Sequence, residues 1–515
     1  MRNRILSAML ALSMILFLSG CWQDSLPEEE ADAALPPSED LIPVEEHSIL
    51  PEQFCLPYDP EQSLDPVSCP DGMQQVVGSL LYEGLFHLDQ AFEPQPLLCA
   101  SFSCSEDARS YTFTLRPDIR FSDGSPLTGK DVKATWSRAK SAPRYAARLA
   151  GISRISAEED SVTVTLSSPD RGFPALLDIP IVKAGSENDA VPLGTGPYYF
   201  DFWEGFPHLL SNPDWWQGTS RPVDRMALVE ASDRDSMLYR FTSHEVQLIT
   251  TDLTNGISLS VTGNISFRDA DTRVLQYLGC NVSKAPLDNS AFRAALWQGF
   301  NRSTIISAFL SGHGKAAQFP VSPVSPLYPV DLEEHYSREG FLQALEKADY
   351  QGGRSLKLLV NEENPFKVSV AEYLAASFRD GGVPIELRVL PWEEFEAALL
   401  AGNFDLYLGE ARLPANWELR PLLGSGGALN LGGWADEQSD VLLAGLASDS
   451  DRTAAMKALC RYLKVQAPIL PICFKSSSVL MQADVLEGLK PTDTEPFYGL
   501  SDCSIHLKPE ATAES

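Results

Sequence analysis

Apolar residues run from Ile5 to Leu18 behind Arg2 and Arg4 and stop at Leu18-Ser19-Gly20-Cys21. A basic start, an apolar stretch too short to span a bilayer and a small-residue end predict a secretory signal over residues 1–20. The mature chain is therefore expected outside the cytoplasm. Further along, the polarity changes period. Tyr111, Phe113 and Leu115 alternate with polar neighbours within 109–121, and Val162, Val164 and Leu166 do so within 161–166, which predicts two half-buried strands. Between them Val132, Trp136 and Ala139 recur at helical spacing over 131–139, with Thr128 placed to cap that helix. In the second half the pattern predicts helix over 368–378, strand over 385–390, helix over 392–400 and strand over 404–408. Strands alternating with helices predict an α/β fold with a helix-covered sheet.

Residues 22–47 are acidic and proline-containing, with no lysine or arginine. Self-repulsion and a shortage of apolar surface predict an extended tether there, with the folded body beginning at residue 48. The chain holds 40 basic and 70 acidic side chains, and loss of residues 1–20 removes two arginines and no acid, leaving 38 against 70, a net charge of −32. A surface of that sign repels phosphate backbones, so nucleic acid is excluded as a partner. With 515 residues, 44% of them hydrophobic, the chain exceeds one core, and two or three domains are expected. Nine cysteines in an exported chain permit disulfides. Cys55 with Cys69 and Cys99 with Cys104 are near enough in sequence to bridge locally, and buried thiols are the alternative. The cysteine spacings and seven scattered histidines match no zinc pattern, so no metal and no other cofactor is expected.

A series of short motifs follows in order: Leu64-Asp65-Pro66, Leu81-Tyr82-Glu83-Gly84-Leu85, Tyr111-Thr112-Phe113, Phe121-Ser122-Asp123-Gly124, Gly194-Thr195-Gly196-Pro197-Tyr198, Asn212-Pro213-Asp214-Trp215-Trp216, then Asn281, Arg293, Asn301-Arg302 and Ala467-Pro468. In order and spacing the series resembles the family 5 extracellular solute-binding proteins, the oligopeptide, dipeptide and nickel type that feeds bacterial ABC importers. Leu18 to Cys21 likewise resembles a lipobox, in which the cysteine is diacylated, and two acyl chains suffice as a stable anchor. The resemblance implies an α/β, two-lobed periplasmic-binding-protein-like fold of type II, with an extra small subdomain and a ligand cleft between the lobes. Mapped here, lobe 1 takes 48–272 plus 475–515, with the subdomain at about 71–184, and lobe 2 takes 273–474. The partners it implies are a short peptide or similar small solute, ABC permease subunits, and the membrane through the lipid anchor only, on its extracytoplasmic face.

Read physically, Phe121 to Pro126 is a strand followed by a turn, and Gly194-Thr195-Gly196-Pro197 lacks the lysine of a phosphate loop and reads as a turn. Where relatives carry an ammonium-pairing aspartate, this chain has Gly409-Glu410-Ala411-Arg412-Leu413-Pro414-Ala415-Asn416-Trp417-Glu418. Two readings stand for Arg412: a fork for a ligand carboxylate, or a surface partner of Glu410 or Glu418. Glu410 either replaces the missing aspartate or pairs with Arg412. Trp417 and Trp434 either wall the ligand or pack in the core. The resemblance places Tyr82, Glu83 and Asn281 near the cleft or its crossings, and Glu83 has the alternative of serving a loop backbone.

No His-Glu-x-x-His, no Gly-x-Ser-x-Gly and no cysteine with an evident histidine partner is present, so no catalytic residue and no enzymatic activity is expected. Three readings remain: a lipid-anchored substrate-binding protein of an importer, a sensor or adhesion-type lipoprotein on the same fold, and a hydrolase using a carboxylate pair. Peptide, carboxylate-bearing solute, haem and nickel complex all stay open as ligands.

Overall fold

The computed structural model describes residues 50–70, 72–218, 221–252 and 264–509. The signal, Cys21 and the tether lie outside them. Residues from Ser48 onward form one compact unit. Among the described residues no helix is long and apolar enough to cross a membrane.

Local chemistry accounts for most elements. Helix Gly129–Ala139 starts at Thr128, where Thr128 and Asp131 form a reciprocal capping box, and it buries Val132, Trp136 and Ala139 as its spacing requires. It covers an antiparallel sheet ordered Cys99–Cys104, Ser110–Leu115, Ser161–Leu166, Ile152–Ala157. The strand expected to reach Phe121 ends at Leu115, because Pro117 follows and Asp118 takes a left-handed φ of 64°. Phe121 is instead held by a turn, donating to Ser125 O at 2.8 Å with Gly124 at φ 80°. Cys99 and Cys104 are the two ends of one strand and both are free thiols, as is Cys55. Six extended residues separate their Cα atoms by ~16 Å, far beyond disulfide reach, so the buried-thiol alternative holds for these three except that Cys104 is exposed.

The second half builds parallel strand-helix units: Leu356–Asn361, helix Pro365–Asp380, Ile385–Leu390, helix Trp392–Leu400, Leu406–Arg412. The last strand begins two residues later than the pattern suggests and runs four further. Its continuation is set by antiparallel pairing with Ile265–Cys280, from Leu406 opposite Cys280 to Arg412 opposite Val274. Ile265–Cys280 and Ile469–Gln482 are the two long strands of a seven-stranded sheet, and each serves more than one core. Leu275, Leu278 and Ile469 to Phe474 pack in the largest cluster, with the parallel strands and their helices. Val479 and Met481 pack in another, with Phe54, Leu80, Tyr198 and the C-terminal Leu489 and Phe497. A bulge interrupts the register of the first strand between Asp271 and Leu275. At the crossing, glycines face tyrosines: a Cβ on Gly279 would lie 2.1 Å from the Tyr407 ring, and one on Gly409 would lie 2.4 Å from the Tyr277 ring.

Candidate ligand-binding cleft

Glu83 is the meeting point of three separated motifs. Its carboxylate accepts hydrogen bonds from Thr195 Oγ1 at 2.8 Å, Trp215 Nε1 at 3.0 Å and Trp216 Nε1 at 2.9 Å. Gly194 and Gly196 permit this, since a Cβ on either would strike the carbonyls that end helix Met73–Leu81. Burial pushes the Glu83 carboxyl up to about 7, against the pull of its three donors. Tyr82 is buried beside it and donates to Pro192 O at 3.1 Å. Other motif residues likewise close the scaffold. Asp65 takes the Arg138 fork at 2.5 and 2.8 Å, buried Arg293 donates to Gln466 O and Ala467 O, and buried Arg302 donates to Pro471 O and Ala317 O. Asn281 donates to Phe404 O at 3.2 Å, tying the end of strand Ile265–Cys280 to the loop before Leu406–Arg412.

A cleft of about 370 Å³ opens elsewhere, lined by Asp89, Phe92, Asp269, Asp271, Thr492 and Asp493, with Val324 among its neighbours. Its walls come from a loop after strand Phe86–Leu88, from the crossing strand and from the C-terminal segment. Asp89 is spent on its own loop, accepting from the Ala91 and Glu93 amides. Asp269 accepts from Ser478 Oγ at 2.6 Å and contacts His313 Nδ1 at 2.9 Å. Among the described residues Asp271 faces Lys315 at 4.0 Å, and burial, with the like charge of Asp269, raises its carboxyl above the ordinary range against that lysine. Asp493 is buried between Arg273 and Arg412. Burial would raise its carboxyl, but the two guanidinium groups outweigh burial and hold it below the usual range.

Of the residues singled out in the sequence, Arg412 alone reaches a cleft-lining side chain by hydrogen bond, and it does so through Asp493 rather than through Glu410 or Glu418. Glu410 lies two residues back on the same exposed face, accepting from Gln276 Nε2 at 2.7 Å and facing Lys367 at 3.7 Å. Trp417 is 1% exposed, edge-on to Phe92 and Phe474, which is the core alternative. Trp434 is half-buried beneath the Arg293 guanidinium. Tyr82, Glu83, Asn281 and Trp417 are thus packed residues outside the lining set, and of these Trp417 backs the lining Phe92. Sequence reading passed over Asp89, Asp269, Asp271 and Asp493. The one local hint was Asp269-Ala270-Asp271, two acids on one face of strand Ile265–Cys280. Among the described residues no group of three or more His, Cys, Asp or Glu side chains could hold a metal ion.

Two further contacts tie together stretches far apart in sequence. Asn416 Nδ2 donates to Asp170 Oδ2 at 2.8 Å, and the Arg171 amide donates to Ala447 O at 2.8 Å.

Residues 93–418 match the model of bacterial extracellular solute-binding proteins, family 5. The glutathione-binding protein GsiB of Escherichia coli O6:K15:H31 is 24% identical over 442 residues, covering 80% of this chain and 86% of its own. Among solved structures, the periplasmic murein tripeptide binding protein MppA in its unliganded open form superposes with a TM-score of 0.73 at 20% identity, over 89% of this chain and 98% of that one. The ABC transporter substrate binding protein CtaP of Listeria monocytogenes does so at 0.71 and 18%, over 88% and 99%. The fold is therefore the two-lobed α/β architecture of periplasmic binding proteins. With the family model spanning well over half of its length, the chain belongs to the bacterial extracellular solute-binding proteins of family 5.

Proposed function

We propose that this protein is the lipid-anchored substrate-binding protein of an ABC importer, capturing a short peptide or similar small solute and presenting it to permease subunits. The cleft carries this reading. Its volume of about 370 Å³ sits at the small end of the range for small-molecule sites, roughly 300–1,000 Å³, and suits a compact solute. Its lining comes from stretches assigned to lobe 1, at 89–92, 269–271 and 491–493, and from Val324 of lobe 2, so a ligand seated there would touch both lobes and draw them together. Relatives named for glutathione and for a murein tripeptide support a short peptide-like cargo. Asp271, 4.0 Å from Lys315, is the acceptor for a cationic end of the ligand. Arg412 and Glu410 act at the edge of the site, Trp417 backs Phe92 of its wall, and Tyr82, Glu83, Asn281 and Trp434 serve the scaffold. Cys21, after Leu18-Ser19-Gly20, carries the lipid, and 22–47 spaces the body from the membrane. No chemical step is assigned to the protein.

The test is mass spectrometry of small molecules released by denaturing the purified protein, paired with calorimetric titration of a short-peptide panel. Co-purified di- or tripeptides, or a peptide that binds, are the expected result. Binding of no peptide, together with release of a single unrelated compound, refutes peptide capture.

A further inference from the structure

Asp493 is a carboxylate of the chain itself, seated against the arginine that sequence reading offers to a ligand. Arg273 Nε and Nη2 lie 3.1 and 3.0 Å from its Oδ2, and Arg412 Nη1 lies 3.0 Å from Oδ1 and 2.9 Å from Oδ2. The Asp493 side chain is 3% exposed, against 5% for Arg273 and 58% for Arg412. A short turn holds it there, with the Thr492 amide on Glu495 O and the Glu495 amide on Thr492 Oγ1. The segment is rooted in one body through Leu489 and Phe497, whereas Arg412 stands between Ala411 and Leu413 of the other core.

Electrostatics gives this contact a consequence for selection. A carboxylate arriving from the cleft at Arg412 meets Asp493 already in place, and two like charges cannot share the site without one of them taking a proton. A buried Arg273 also requires its counter-ion, so Asp493 is not free to yield. We propose that Asp493 is a specificity-determining residue of the cleft, a built-in carboxylate that occupies Arg412 and Arg273 and so refuses a carboxylate ligand at that wall. This rests on the reading of the cleft as the ligand site.

The experiment uses the full chain in detergent and two probes, succinate and arginine amide, titrated by calorimetry. Wild type should give no succinate heat, and Asp493→Asn should gain succinate binding by at least about tenfold, the effect of losing one close like-charge contact of ~1.4 kcal/mol. The gain should vanish in Asp493→Asn/Arg412→Ala. Equal succinate affinity in wild type and a folded Asp493→Asn, or a gain that survives loss of Arg412, overturns the proposal. Should Asp493→Asn fail to fold, Arg412→Ala decides alone, because its guanidinium is mostly solvent-exposed. Relieved of that partner, Asp493 should bind arginine amide several-fold more tightly than in wild type, and no increase overturns the proposal. A succinate gain in a protein that binds no peptide would refute peptide capture while leaving the role of Asp493 standing.

Discussion

Replacing Glu83 with glutamine tests whether the buried carboxyl at the junction of three motifs titrates as its surroundings dictate. Burial raises its value from 4.5 to about 7. The folded protein therefore retains a proton that the unfolded chain has released. The stability from this group is fully present below pH 4.5 and is lost as pH rises through 7. Between pH 5 and pH 8 the linkage relation makes that loss about 2 to 3 kcal/mol for one group shifted this far. Glutamine does not titrate, so the variant lacks this slope. At every pH it bears a constant cost of about 1–3 kcal/mol, because its amide NH₂ faces three hydrogen-bond donors and cannot accept from all of them. Urea unfolding of both proteins at pH 5, 6, 7 and 8 measures the difference. Wild type should lead the variant most at pH 5, and its lead should shrink by the linkage term by pH 8. A gap between the two that stays constant from pH 5 to pH 8 refutes the assignment of a raised value to Glu83.

Three further outcomes are expected. Gly279→Ala forces a methyl group into the Tyr407 ring at the crossing and should cost about 1–3 kcal/mol in thermal or urea unfolding, whereas Gly445→Ala, with open space at its Cβ, should cost nothing or stabilise slightly. Arg354→Ala removes a fork that meets buried Asp405 at 2.6 and 2.7 Å and should cost about 2 kcal/mol near neutral pH. Since Arg354 helps hold the Asp405 carboxyl below its ordinary value, the stability it supplies is lost as pH falls, so the gap to wild type should close in acid; a gap that widens in acid contradicts this. Iodoacetamide on the native protein should label exposed Cys104 well before Cys55 or Cys99, which are buried and whose thiols are pushed up to about 11; peptide mapping showing the reverse order would contradict the burial pattern.

Periodicity alone identified Ser161–Leu166, Ile385–Leu390 and Trp392–Leu400 to the residue, and the Thr128 cap was visible three positions before Asp131. In these segments the forces act between residues a few positions apart, on one helix face or one strand face, so the chain order displays them. The ordered motifs also pointed to the family, because the interactions they make are scaffold interactions that any member of the fold must satisfy. Their very role misdirects a search for the site: Glu83, Arg293 and Arg302 spend their polar atoms on Thr195, Gln466 and Pro471, far away in sequence. What only the tertiary structure decided is the cleft. Asp89, Asp271 and Asp493 come from three distant stretches with no shared spacing, and Arg412 finds its partner 81 positions on. Strand Leu406–Arg412 extends past its own pattern because a neighbouring strand supplies its hydrogen bonds. Local order in the chain sets the elements, whereas which charges face one another across a gap depends on how two bodies joined by paired strands come to rest, and no short window of sequence contains that information.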